Sequence, residues 1–240
     1  MPKYETTLTA SETVAEGTMA FRFAKPADFK FEAGQSMNLS LIDPPETDHK
    51  GNSRSFSLAS APYETELVIA TRMRDTAFKR SLKAMPAGGR IHLRGPAGTF
   101  TLDGADTRPA VFLAGGIGIT PFLSMSRQAA HERLARDIWL FYSNRRPEDA
   151  AFLDELAALP KRNPRCRFVG TMVEMAKSSR PWSGETGFLD RVMLERHLKD
   201  LAASVYYVAG PPGLVEAMQK MLVDTGVEDE AIRTDEFFGY

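Results

Sequence analysis

The chain has 240 residues, 43% of them hydrophobic and 25% charged, with a formal net charge of −1. That length holds one large or two modest domains, and the charge balance gives no overall pull toward nucleic acid or an anionic membrane. The single cysteine, Cys166, excludes an internal disulfide and a cysteine-ligated iron–sulfur cluster within the chain. The four histidines (His49, His92, His131 and His197) are scattered without zinc-ligand spacing. No basic-then-apolar leader opens the sequence and no apolar run reaches the length of a membrane span, so a soluble, cytoplasmic protein without membrane insertion is expected.

Short strands dominate up to about residue 105. Residues 18–23, 36–42, 66–71 and 90–94 alternate or carry β-favouring side chains, with Gly, Pro and Asp between them. This spacing predicts a small antiparallel barrel. Residues 43–53 read as a long exposed loop. One helix interrupts the series: Asp75 or Thr76 suits its cap, Phe78, Leu82 and Met85 share a face, and Pro86 with Gly88-Gly89 stops it. Leu102–Pro109 reads as a linker, which divides the chain into domains 1–104 and 105–240. Beyond it strands and helices alternate. Strands are predicted near 110–114, 138–142, 167–172, 205–209 and 231–235, with helices near 121–134, 149–158, 190–200 and 213–224. That rhythm predicts a parallel sheet covered on both faces.

Three segments carry residues suited to a ligand. The buried strand Ala110–Ala114 runs into Gly115-Gly-Ile-Gly-Ile-Thr-Pro121, with Thr120 as the expected N-cap and Pro121 as the first helical residue. The free N–H groups of such a helix attract anions, and glycines at 115, 116 and 118 let the backbone approach a phosphate. A second strand ends in Gly210-Pro211-Pro212 before another amphipathic helix. If the first and fourth parallel strands are neighbours, both glycine turns face one crevice. In the barrel half, Arg54-Ser55-Phe56-Ser57-Leu-Ala-Ser60 sets a cation, a flat ring and hydroxyls close together. Arginine can fork onto phosphate, and the ring can stack on another ring. The helix start at Thr76-Ala77-Phe78 follows about twenty residues later.

Taken together these segments resemble the ferredoxin–NADP reductase superfamily. Its flavin motif R-x-[YF]-S-x-x-S matches Arg54 to Ser60, its nucleotide motif G-G-x-G-x-[TS]-P matches Gly115 to Pro121, and [CA]-G-P-P matches Ala209 to Pro212. Trp182-Ser-Gly-Glu-Thr-Gly187 and the ending Asp235-Glu-Phe-Phe-Gly-Tyr240 also resemble family segments. The resemblance implies a two-domain β plus α/β protein: an N-terminal antiparallel Greek-key β-barrel for FAD, in preference to FMN, and a C-terminal doubly wound parallel sheet for NAD(P)H. In it Arg54 and Ser55 would hold the flavin, with Arg54 on its phosphate, Phe56 along the ring and Ser57 near N5. Thr76, Ala77 and Phe78 would receive the diphosphate. Gly116, Gly118, Thr120 and Pro121 would cradle the nicotinamide nucleotide, and Gly210 and Pro211 would close its far side. Ser57, Thr120 and Tyr240 would form the catalytic group, with Phe238 or Tyr240 covering the flavin's second face.

Two departures bear on function. Ala209 stands where many relatives have cysteine, and with one cysteine in these 240 residues no ferredoxin-like domain with four cysteines is expected. The resemblance therefore implies hydride transfer to bound FAD and delivery of electrons to a separate acceptor, a small redox protein or an oxygenase component, with no role for nucleic acid. Arg145 or Arg146 suits the 2′-phosphate of NADP, whereas Glu174 disfavours it, a slight lean to NADH that Lys177 and Arg180 can overturn. A reductase that uses flavin as a diffusing substrate and a non-turning-over relay subunit stay open.

Overall fold

The computed structural model describes residues 1–238. Its first half is a six-stranded antiparallel sheet in the order β4-β3-β6-β1-β2-β5. The strands are β1 (Lys3–Ala15), β2 (Thr18–Ala24), β3 (Ser36–Leu41), β4 (Ser53–Ser57), β5 (Glu66–Arg72) and β6 (Arg90–Ala97). The edge strands β4 and β5 come within 8 Å of each other, Cα to Cα, so the sheet curls into a barrel. β1 makes this possible. Lys3–Thr7 pairs with β6, and Leu8–Ala15 pairs with β2 across two register shifts. Bulges of this kind bend and twist a strand so that it serves two parts of a barrel. The hydrophobic alternation singles out no strand before Thr18, because β1 buries few apolar side chains and is mostly Thr, Ser and Glu on its wet face. Inside, Leu8, Phe21, Phe23, Met37, Leu39, Ile69 and Leu93 form the core. Helix α1 (Ala77–Ala84) closes it with Phe78 and Leu82, as its apolar spacing predicts.

The second half is a parallel sheet in the order β10-β9-β8-β7-β11-β12. It comprises β7 (Ala110–Gly115), β8 (Ile138–Asn144), β9 (Cys166–Met172), the short β10 (Glu185–Thr186), β11 (Val205–Gly210) and β12 (Ile232–Glu236). Every residue of β7 and β11 is buried. Side chains of β7 alternate between the faces: Ala110, Phe112 and Ala114 join one core, Val111 and Leu113 the other. Helices α2 (Ile119–His131) and α3 (Leu153–Arg162) pack on the first face, α4 (Arg191–His197) and α5 (Pro212–Asp224) on the second.

The two halves share a core. Ala20, Ala59, Val68 and Ala70 of the barrel pack in the same apolar cluster as α2. The Ser124 hydroxyl donates to the Ser60 carbonyl at 2.6 Å, and Arg127 forks onto Glu155 at 2.7 Å while reaching Glu64 and the Ala59 carbonyl at 3.3 Å. Arg136, 4% exposed, holds the linker by its Arg108 and Asp103 carbonyls. No helix among the described residues is long and apolar enough to cross a membrane.

Candidate functional site

β7 and β11 are neighbours, with Ala114 opposite Ala209. The chain leaves β7 toward one face through α2 and β11 toward the other through α5, so their carboxyl ends open a crevice of the kind that binds ligands. The two glycine turns touch there. A Cβ on Gly118 would stand 2.4 Å from the Ala209 carbonyl oxygen, and one on Gly210 would stand 3.1 Å from the Gly115 nitrogen and Cα. These positions are glycine because backbone packs on backbone.

The turn differs from its expected form in one respect. Gly116–Gly118 makes a 3₁₀ turn and the helix begins at Ile119, so Gly118 occupies the cap. Thr120 is a helical residue, 1% exposed, whose hydroxyl donates to the Ile117 carbonyl at 3.1 Å, and Pro121 is the third helical residue. The extra 3₁₀ turn consumes the residues on which the N-cap expectation rested. Gly116 reaches the crevice; Gly118, Thr120, Pro121 and Gly210 are packed behind it.

A cavity of about 640 Å³ opens at this crevice, lined by Gly115, Gly116, Asn144, Arg145, Phe188 and Pro211. Asn144 is 5% exposed and both its side-chain polar atoms lack a partner among the described residues. Such an orphaned amide costs roughly 1–3 kcal/mol and fits a ligand that hydrogen-bonds to it. Of the cations expected to meet a 2′-phosphate, Arg145 is the one that lines this cavity, at 55% exposure, with one 3.3 Å contact to Asp149. Arg146 is committed to Asp149 and Glu16, and Lys177 to Glu174.

An adjoining cavity of about 410 Å³ lies on the barrel side, and Arg72 and Arg74 line both. Arg54, Ser55, Phe56, Ser57 and Thr76 meet there, whereas Ala77 and Phe78 are buried beneath it. The Phe56 ring is 5.9 Å from that of Phe78 at 32°. Thr76 caps α1, accepting from the Lys79 N–H at 3.3 Å.

Three residues that sequence reasoning gave no role also line this cavity: Lys79, Asp235 and Phe237. β12 pairs with β11 so that Asp235 lies beside Ala209, and its carboxyl meets Ser57. Burial raises the pKa of Asp235, and the hydrogen bond with Ser57 opposes that only in part. The Phe237 N–H donates to the Gly210 carbonyl at 2.9 Å and its ring is half-buried, while Phe238 is 79% exposed. Tyr240 lies outside the described residues. The signal for Asp235 and Phe237 was the acidic-aromatic ending; only the strand register tells which of its members turn inward. The Trp182 segment has a packing part: its ring lies on Gly170 and Gly184, where a Cβ would stand 2.8 and 2.4 Å away.

Comparison with known proteins agrees with this geometry. The sequence model of the oxidoreductase NAD-binding domain matches residues 112–220. Ferredoxin–NADP reductase B of Sorangium cellulosum (strain So ce56) is 30% identical over 196 residues, covering 81% of this chain and 75% of that protein. The glycine betaine monooxygenase reductase subunit of Chromohalobacter salexigens is 28% identical over 221 residues, covering 90% of this chain and 59% of its own length. The propane 2-monooxygenase reductase component of Rhodococcus jostii (strain RHA1) is 29% identical over 241 residues, 97% of this chain and 63% of that one. The chain thus spans about three-fifths of these two oxygenase reductases. Among solved structures, a ferredoxin NADP+ reductase of Neisseria gonorrhoeae with bound FAD and NADP superposes with a TM-score of 0.82 at 23% identity, over 98% of this chain and 99% of that one. By its sequence and its two-sheet architecture, the chain belongs to the ferredoxin–NADP reductase superfamily.

Proposed function

We propose that the chain is a flavoprotein reductase that takes a hydride from NAD(P)H onto bound FAD and passes the electrons to a separate acceptor. The observation that carries this reading is the pair of cavities meeting at Arg72 and Arg74, one beside Phe56, Ser57 and Asp235, the other at the sheet's switch point. Residues 1–104 are the flavin domain and 105–240 the nucleotide domain. The residues fit a flavin: a flat ring at Phe56, a hydroxyl–carboxyl pair at Ser57 and Asp235, and a cluster of cations for phosphate. Bound flavin supplies a hydride acceptor and releases its electrons singly or in pairs.

The protein's own part is positioning. Phe56 forms one wall for the ring, and Phe237, tied to Gly210, forms the other with Phe238 at the mouth. Ser57 presents its hydroxyl to the reacting edge, and Asp235 holds the Ser57 proton in orientation. Gly116 and Pro211 leave room for a nicotinamide nucleotide at the switch point, with Asn144 and Arg145 toward its ribose and phosphates. With Ala209 in place of cysteine, no thiol assists at this point. NADH is favoured slightly over NADPH: Arg145 lines the cavity, but Arg146 and Lys177 are paired with carboxylates, and Glu174 after the third parallel strand disfavours a phosphate. FAD is favoured over FMN by the capped α1 start and its basic neighbours. A redox protein or oxygenase component as acceptor accords with the reductases that the chain resembles. A cytoplasmic location accords with the supply of reduced nicotinamide there.

The test is an anaerobic titration of the purified protein with NADH, followed by flavin absorbance. Bleaching at about one equivalent is expected for a two-electron hydride acceptor. A chain that holds no flavin after reconstitution with FAD, or a bound flavin that neither NADH nor NADPH reduces, overturns the reading.

A further inference from the structure

A third cavity, of about 490 Å³, lies where the barrel, the linker and α2 meet. It shares no lining residue with the two cavities of the proposed site. Its apolar wall combines Phe31 and Ala33 of the barrel half, Leu102 of the linker, and Met125 and Ala129 of α2. Cavities of this size serve small organic molecules, and they favour domain junctions.

Two polar groups at this wall are left over. Arg136 is 4% exposed; its Nε and Nη1 donate to the Arg108 and Asp103 carbonyls, but its Nη2, shut off from solvent, makes no hydrogen bond among the described residues. The Asp106 carboxylate stands 3.9 Å from Nη2 and is already held by Arg108, which forks onto it at 3.1 and 2.6 Å. Gln128 of α2 has the opposite want. Its Nε2 donates to Glu132 at 2.6 Å, and its Oε1 accepts from no donor among the described residues. Buried donors and acceptors are almost always answered, so a leftover donor and a leftover acceptor lining one cavity point to a ligand group that serves both. A hydroxyl does, since it accepts from the guanidinium and donates to the amide oxygen. Charge narrows the choice further. Glu32, Asp103, Asp106 and Glu132 line the cavity with Arg136 as the one cation among its described residues, which repels an anion. A cation has no acceptor to offer Nη2.

We propose that the junction cavity is a second ligand site, for a small, uncharged, largely apolar molecule with a hydroxyl group, held by Arg136 and Gln128. It stands whether or not the flavoprotein reading does. An occupant touches both halves and the linker between them. It also touches α2, which begins beside the first glycine turn and carries Met125, Gln128 and Ala129 to the cavity.

The experiment uses the full chain as purified, with isotope-labelled methionine methyl groups followed by NMR while phenol, benzene and benzoate are titrated separately. Met125 lines this cavity and Met218 the nucleotide cavity, so their signals, assigned through Met125→Leu and Met218→Leu, tell the two apart. Phenol is expected to shift the Met125 signal with a Kd of about 1 mM or tighter, as suits so small a ligand. Benzene is expected to bind about tenfold more weakly, having lost a hydrogen bond to a charged group. Benzoate is expected to leave the signal in place up to about 10 mM. Arg136→Met is expected to bring phenol to the level of benzene, and Gln128→Leu to weaken phenol about threefold or more with benzene unchanged. Phenol and benzene binding equally well overturns the proposal, as does benzoate binding as well as phenol, or a shift confined to Met218. Should Arg136→Met fail to fold, since it also ties down the linker, Gln128→Leu decides alone: an unchanged phenol affinity there overturns the assignment.

Discussion

Ser57 and Asp235 lie 178 positions apart (235 − 57) and meet only because β12 pairs in parallel with β11. The raised pKa of Asp235 has a defined sign. Its folded form prefers to be protonated, so its contribution to stability is greatest at low pH. That contribution is lost as pH rises through the ordinary aspartate range to the raised folded value. Asp235→Asn is therefore expected to keep or raise stability at neutral pH while slowing flavin reduction by about tenfold to a hundredfold, read by stopped-flow absorbance. An unchanged rate would remove Asp235 from the mechanism. Gly118 gives the converse case, a residue that matters through packing alone. A Cβ there meets the Ala209 carbonyl at 2.4 Å, so one of the two backbone segments must shift. Gly118→Ala is expected to cost about 1–3 kcal/mol in a denaturant melt; a loss below about 0.5 kcal/mol, ordinary for a surface change, would show that the turns are not in contact.

At the scale of elements, the segment after β9 depends on one carboxylate. Glu148 accepts from the backbone N–H groups of Ser179 and Arg180 at 2.6 and 3.1 Å and from the hydroxyls of Ser178 and Ser179. Burial alone would raise its pKa, but these hydrogen bonds outweigh it and hold the value at about 2. Because the folded value is depressed, the support is complete above the ordinary glutamate range and fades as pH falls toward 2. Amide exchange at Ser179 and Arg180 is expected to accelerate over that window ahead of the β-sheet amides, after correction for intrinsic rates. Equal protection at pH 6 and pH 3 would refute the assignment. The barrel hairpin between β1 and β2 reaches the same region, since the Glu16 N–H donates to the Glu148 carbonyl and Arg146 pairs with Glu16. One loop of the nucleotide half is thereby seated on the barrel.

Over the whole molecule, the two halves are held at one angle by Arg127. Its side chain is 13% exposed and joins Glu64 of the barrel to Glu155 of α3. Removing one partner of a nearly buried ion network leaves the remaining charges unanswered, at about 3–5 kcal/mol. Arg127→Met is expected to lower stability by roughly that amount and to broaden the melt as the halves uncouple. A sharp, unshifted transition would show that the shared apolar core alone sets the angle. The relation matters for function because the two cavities abut across this junction, at Arg72 and Arg74.

Much of this was legible in the chain. The parallel strands, the barrel, α1 with its Thr76 cap and the two glycine turns follow from periodicity and from residues whose local preferences agree with their final setting. The motif from Arg54 to Ser57 marked one wall of the barrel-side cavity for the same reason. Other features were decided by contacts between residues far apart. β1 became a strand through pairing with β2 and β6, since its own side chains carry little alternation. Which of Asp235, Phe237 and Phe238 turn inward depends on the register of β12. That Arg54 is engaged by Asp48 while Lys79 donates to the Arg72 carbonyl is a matter of side-chain geometry within one cavity. Local propensity and hydrophobic period are properties of neighbouring residues, so the sequence alone determined most of the elements and the place of the two turns. Charge compensation and burial are sums over everything that folding brings near, so only the tertiary structure decided which of the many polar residues are left for a ligand.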